Sequence, residues 1–112
     1  DAELDDALDA IVSTGIDGVI ATNTTVSRAG LKSPVGQETG GLSGAPLRQR
    51  STAMIATIHQ RTGGKLPIIG VGGIMSVEDA RAKLDAGAVL VQIYTGMIYR
   101  GPGLAGEIVD GL

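Results

Sequence analysis

Two glycine-bearing turns, Gly70-Val-Gly-Gly-Ile74 and Ile93-Tyr-Thr-Gly96, each close an apolar run, and they lie one helical stretch apart. Turns of this kind leave backbone N–H groups free, and two consecutive strand ends can aim them at a single phosphate. Gly72, Gly73, Tyr94 and Thr95 would supply those donors, and Thr95 adds a hydroxyl. A third polar cluster, Thr22-Asn-Thr-Thr25, closes an earlier apolar run. The amide of Asn23 donates and accepts at once, which suits a ring with alternating carbonyl and N–H groups. A polar turn in which Asn23 satisfies its own backbone fits the same residues. The stretch Gly40-Gly-Leu-Ser-Gly44-Ala-Pro46 leads directly into a helix, where Gly44 could let backbone approach a flat ligand; a flexible linker is the alternative.

Other chemistries find little support. A dinucleotide fingerprint needs a third glycine and an acidic residue after the next strand. Here the sixth position of the motif is Met75, and no Asp or Glu stands directly after Ile93 at the strand end. Ser27 and Ser43 sit in no Gly-x-Ser-x-Gly elbow, and the only histidine, His59, reads as a surface residue of the 47–61 helix. No metal-ligand spacing is present. The absence of cysteine excludes disulfides and thiolate chemistry. A net charge of −3 with no basic block argues against nucleic acid. Arg48, Arg50, Arg61, Lys65, Arg81 and Lys83 are expected to solvate outer faces. No apolar run approaches the ~18 residues of a membrane span, and no secretory signal pattern is seen.

The elements that must position these groups follow from periodicity. Leu4, Leu8, Ile11 and Val12 repeat with helical spacing up to a stop at Gly15. Gly18–Thr22 reads as a short buried strand. The polar, glycine-rich stretch from Asn23 to Ala45 has the length of a functional or disordered loop. Pro46 suits the first turn of a helix whose inner face carries Leu47, Ser51, Met54, Ile55 and Ile58 and which ends at Gly63-Gly64. Pro67–Val71 is an unbroken apolar run, as a parallel strand covered on both sides should be. Ser76-Val-Glu-Asp79 matches a capping box, so a helix begins near Val77, turns Ala80 and Leu84 inward and stops at Gly87. Val89–Ile93 is the third strand. After the Gly101-Pro-Gly103 break, Leu104, Ile108 and Val109 mark a last helix.

Strands alternating with helices predict an α/β fold with a parallel sheet and right-handed crossovers. The 112 residues suffice for one domain. With 43% hydrophobic residues and only Tyr94 and Tyr99 aromatic, the core must be aliphatic. In a (β/α)₈ barrel the phosphate commonly sits on the loops after strands 7 and 8. If the two glycine turns are those loops, the chain is the back end of such a barrel, holding a phosphorylated cofactor. The start at Asp1, inside a helical pattern, fits a chain entered partway through.

Read together, the motifs closely resemble the quinone-dependent (class 2) dihydroorotate dehydrogenases. Ala21-Thr-Asn-Thr-Thr-Val-Ser-Arg28 resembles the family's substrate-strand motif, and Glu38-Thr-Gly-Gly-Leu-Ser-Gly-Ala-Pro-Leu47 the loop that follows it. Pro67–Ile74 and Leu90–Gly96 are similar to its two phosphate-side strands. The match runs in order from about Asp17 to the C-terminus. The resemblance implies an FMN-containing barrel that oxidises dihydroorotate to orotate in pyrimidine biosynthesis, with a serine base and a membrane quinone as final acceptor. It implies a peripheral membrane protein of the bacterial or mitochondrial inner membrane, although this segment alone would be soluble. By the same resemblance Asn23 and Thr24 would bond the orotate ring or its carboxylate, and Thr22 and Gly44 would contact the flavin. Gly72, Gly73, Tyr94 and Thr95 would bind the FMN phosphate.

The family's serine base, its flavin-contacting lysine and its membrane-associating helices all precede the matched region. The chain is therefore expected to be a single partial domain, residues 1–112, comprising about strands 6 to 8 of a TIM barrel, with no catalytic base of its own. Two open strand edges, at 18–22 and 89–93, would invite self-association, and the segment alone would be inactive. A non-catalytic half-barrel that binds phosphate or FMN, and another FMN-dependent barrel oxidoreductase, are the alternatives. Asn23-Thr24 and the 38–47 loop count against the latter, because a phosphate site does not need them.

Overall fold

The computed structural model describes residues 2–25, 31–33 and 39–112. Ser27, Arg28 and Glu38 of the motifs above lie outside the described residues. Helix α1 (Ala2–Thr14) leads to strand β1 (Val19–Ala21). A 3₁₀ turn at Ala45–Leu47 runs into α2 (Arg48–Arg61), followed by β2 (Ile68–Val71), α3 (Val77–Asp85), β3 (Leu90–Gln92), α4 (Thr95–Arg100) and α5 (Leu104–Gly111). The three strands form one parallel sheet in the order β1-β2-β3.

The helices take the positions their sequences dictate. Ser76 caps α3 by accepting the Asp79 N–H at 3.2 Å, and Glu78 and Asp79 place negative charge at the positive end of the helix dipole. Helix α2 turns Ser51, Ile55 and Ile58 inward. There Ser51 Oγ donates to the Val71 carbonyl at 2.5 Å, so the one polar residue on that face is satisfied. Packing yields two clusters. Leu8, Ala21, Ile55, Ile58, Leu66 and Ile68 centre on α1, α2 and the sheet. Ile74, Ala80, Leu104 and Ile108 join α3 and α5, with Val91 and Ile93 of the third strand region against them.

The other face of the sheet is bare. Ile20, Ile69 and Leu90 are paired in register across the three strands and so share a face. Ile20 is 63% and Leu90 61% exposed, and no layer among the described residues covers them. Burying such a side chain stabilises by about 1.5–3 kcal/mol, so this face leaves apolar stabilisation unused. Strands β1 and β3 are the two edges, at the positions the sequence predicts.

Two expectations need correction. The order holds one more helix than the periodicity indicates: α4 spans six residues before Gly101, with no side-chain cap to announce it. Lys83, expected in solvent, is fully buried, and Arg48 is half-buried against Asp79. The reason is position: Lys83 follows Ala80 by three residues, on the buried stripe of α3, where its ammonium reaches Arg48 and Thr52 of α2. Among the described residues no helix is long and apolar enough to cross a membrane.

Candidate functional site

Because the strands run parallel, their C-terminal ends share one edge of the sheet, and the polar motifs at 22–25, 72–74 and 93–96 gather there. Gly44, Gly72, Gly73, Tyr94 and Thr95 line a single cleft together with Ser43, Leu47 and Gln92. It encloses only about 30 Å³, so it fits the end of a ligand and not its body. The amides of Gly72, Gly73 and Tyr94 donate to no backbone carbonyl of the described residues. Thr95 opens α4, where the first amides lack intrahelical acceptors. These are the free donors that the glycine turns lead one to expect.

Local packing explains the residue types. Gly73 has φ +72°, and a Cβ there would meet Arg48 Cα at 2.6 Å, so the turn lies directly on the first turn of α2. Gly44 has φ +90°, and a Cβ would sit 2.9 Å from Thr95 Cγ2. Ser43 Oγ and Thr95 Oγ1 are hydrogen-bonded at 2.7 Å, which ties the 39–46 loop to the start of α4. Gln92 Nε2 donates to the hydroxyl of Tyr94, whose ring is exposed.

Thr22, Asn23 and Thr24 lie in a second recess of about 290 Å³, lined also by Thr25, Leu47, Arg50 and Met54. Leu47 borders both recesses. Asn23 Oδ1 accepts the Thr24 N–H at 2.8 Å, the polar-turn arrangement, which leaves its exposed NH₂ group as a donor. Thr22 Oγ1 is buried and has no hydrogen-bond partner among the described residues. Such an atom costs stability unless a ligand or water satisfies it. Thr25 and Leu42 exchange two backbone bonds, at 3.0 and 2.6 Å, so the same loop that meets Thr95 also grips the end of the Thr22–Thr25 motif.

Residue by residue reading of the sequence missed a polar network beneath the glycine turn. Asp79 accepts from Arg48 Nη1 at 3.1 and 3.2 Å and from the Met75 N–H at 3.0 Å. Lys83 Nζ donates to the Arg48 carbonyl at 3.0 Å and to Thr52 Oγ1 at 2.5 Å. Burial pushes the Lys83 ammonium down to about 8; Asp79 opposes that shift and Arg48 adds to it. The signal that could have revealed the network is the i, i+4 spacing of Asp79 and Lys83 astride the inward Ala80.

Consecutive parallel βα units with polar turns gathered on one strand edge fit a segment of an α/β barrel, and the candidate site lies at the edge where such barrels carry theirs. All 112 residues match the family described as Dihydroorotate dehydrogenase, and the chain belongs to that family. It is 58% identical over 113 aligned positions to the proteins named dihydroorotate dehydrogenase (quinone) of Brucella ovis and Brucella abortus, covering all of this chain and 31% of each relative. The ligand-free dihydroorotate dehydrogenase structure from Eimeria tenella superposes with a TM-score of 0.95 at 45% identity, over all of this chain and 31% of that one. The structure of that enzyme in complex with ferulenol gives 0.89 at 45% identity, over 94% and 28%. The chain thus spans about a third of the length of the relatives it matches.

Proposed function

We propose that this chain supplies the C-terminal βα units, about strands 6 to 8, of the FMN barrel of a quinone-dependent dihydroorotate dehydrogenase. The observation that carries the reading is the single cleft lined by Gly72, Gly73, Tyr94 and Thr95 from two adjacent strand ends, where the first three amides donate to no backbone carbonyl of the described residues. A phosphate needs several donors converging on one point, and this cleft offers them without a side-chain cation. Gly72, Gly73, Tyr94 and Thr95 hold the FMN phosphate; Thr22 and Gly44 contact the flavin. The partnerless Thr22 Oγ1 supports that fit, because a buried hydroxyl at this edge calls for a polar ligand atom. Asn23 and Thr24 orient dihydroorotate through its ring amides or carboxylate.

Oxidation of dihydroorotate to orotate removes one proton to a base and one hydride, and bound FMN supplies the hydride acceptor. The residues of this chain bind and orient; none of them is proposed as the base. Ser43 is engaged with Thr95, and the serine base and the quinone-reducing, membrane-associated region belong to other parts of the enzyme. Asn23 would fix the substrate ring against the flavin, and Leu47, between the two recesses, keeps an apolar partition there. The test is to purify the complete protein containing this chain. Bound flavin of FMN mass and dihydroorotate-dependent quinone reduction are expected. A protein without flavin and without turnover would overturn the assignment and favour a non-catalytic half-barrel.

A further inference from the structure

Helix α3 presents Asp79 and Lys83 one turn apart, and both reach Arg48 at the start of α2. Asp79 takes the guanidinium, while Lys83 takes the backbone carbonyl at 3.0 Å. Arg48 is therefore held at its side chain and its main chain by one helix. The glycine turn rests on the same residue: Gly73 packs on the Arg48 backbone, and Met75 donates to the carboxylate that binds the Arg48 side chain. A buried ammonium is an expensive way to fill space, since an apolar side chain of equal volume packs without desolvation cost.

We propose that Asp79 and Lys83 are positioning residues for the phosphate end of the cofactor site. They fix the first turn of α2, which sets where the Gly72 and Gly73 amides stand. The inference rests on the FMN reading given above.

Riboflavin, which carries the same ring system without phosphate, separates this role from a merely structural one. Dissociation constants for FMN and riboflavin are measured in the complete protein for the wild type, Lys83→Met and Asp79→Asn, together with thermal midpoints. Lys83→Met keeps the apolar stem and removes the charge, so its apoprotein midpoint should not fall. Loss of a charge-assisted hold on the turn should weaken FMN about tenfold in either variant and leave riboflavin within about twofold. If FMN and riboflavin weaken together, or neither changes, the positioning role is wrong. Should Lys83→Met fail to fold, Asp79→Asn decides the ratio by itself. A wild type that binds both flavins equally would overturn the phosphate seat, and this inference with it.

Discussion

Ser43 Oγ and Thr95 Oγ1 lie 2.7 Å apart although 52 residues separate them in sequence. The bond joins the loop that follows the Thr22–Thr25 motif to the turn that ends the last strand. Through Leu42, which is bridged to Thr25, the same loop reaches the other recess. The two halves of the candidate site are thus connected by a short, hydrogen-bonded path.

Ser43→Ala should break that path without disturbing the sheet. A lost neutral hydrogen bond costs about 0.5–1.5 kcal/mol, so a modest drop in thermal midpoint is expected, with faster proteolysis in the 39–46 loop. Unchanged cleavage in that loop would show that the bond does not hold it.

Gly73→Val is expected to remove flavin from the complete enzyme. Its branched side chain would fall first on the Arg48 backbone and not on the ligand, and the positive φ adds strain. Crowding of the phosphate is therefore secondary. Full retention of FMN in the purified variant would count against the seat at this turn.

Asn23→Ala should weaken orotate by about 1–3 kcal/mol while flavin stays in place, because only the ring-facing polar pair is lost. Orotate inhibition and the flavin absorbance report the two separately. Loss of flavin with orotate affinity intact would refute that division of roles.

Stability should rise with pH above neutrality because of Lys83. Its ammonium titrates near 8 when folded and at the usual 10.5 when unfolded. Between those values the unfolded chain binds more protons, so deprotonation favours the folded state; below about 8 the burial cost is carried in full. Denaturant midpoints at pH 7 and pH 10 should show the rise in the wild type and a smaller one in Lys83→Met. Equal slopes in the two proteins would remove Lys83 as the cause.

The 112-residue chain by itself should self-associate through its bare sheet face and open edges. Leu90→Lys should shift sedimentation toward monomer at little cost in stability, since Leu90 is exposed here. A sharp, concentration-independent monomeric unfolding transition in the unmodified chain would contradict this.

Much of the scaffold was legible because local signals agreed with one another. The unbroken Pro67–Val71 run marks the parallel strand found at Ile68–Val71, and the Ser76 capping signal marks the start of α3 near Val77. Helix α4 is not legible because six residues give no periodicity and its cap, Tyr94, makes no side-chain capping bond. The burial of Lys83 is not legible from its charge, because its partners, a carbonyl and a hydroxyl on another helix, come within reach only after folding. The glycine turns and the Thr22–Thr25 motif stood out because strand ends expose polar backbone. The Ser43–Thr95 bond left no local trace, being set by how the loop folds back across the sheet edge.

The central claim is that the strand ends at 72–73 and 94–95 form the phosphate seat of FMN. The most direct measurement is an experimental structure of the complete protein with FMN bound. Phosphate oxygens within about 3.2 Å of the Gly73 and Thr95 amides are the predicted result. A phosphate bound elsewhere, with this cleft filled by water or side chains, would contradict the account.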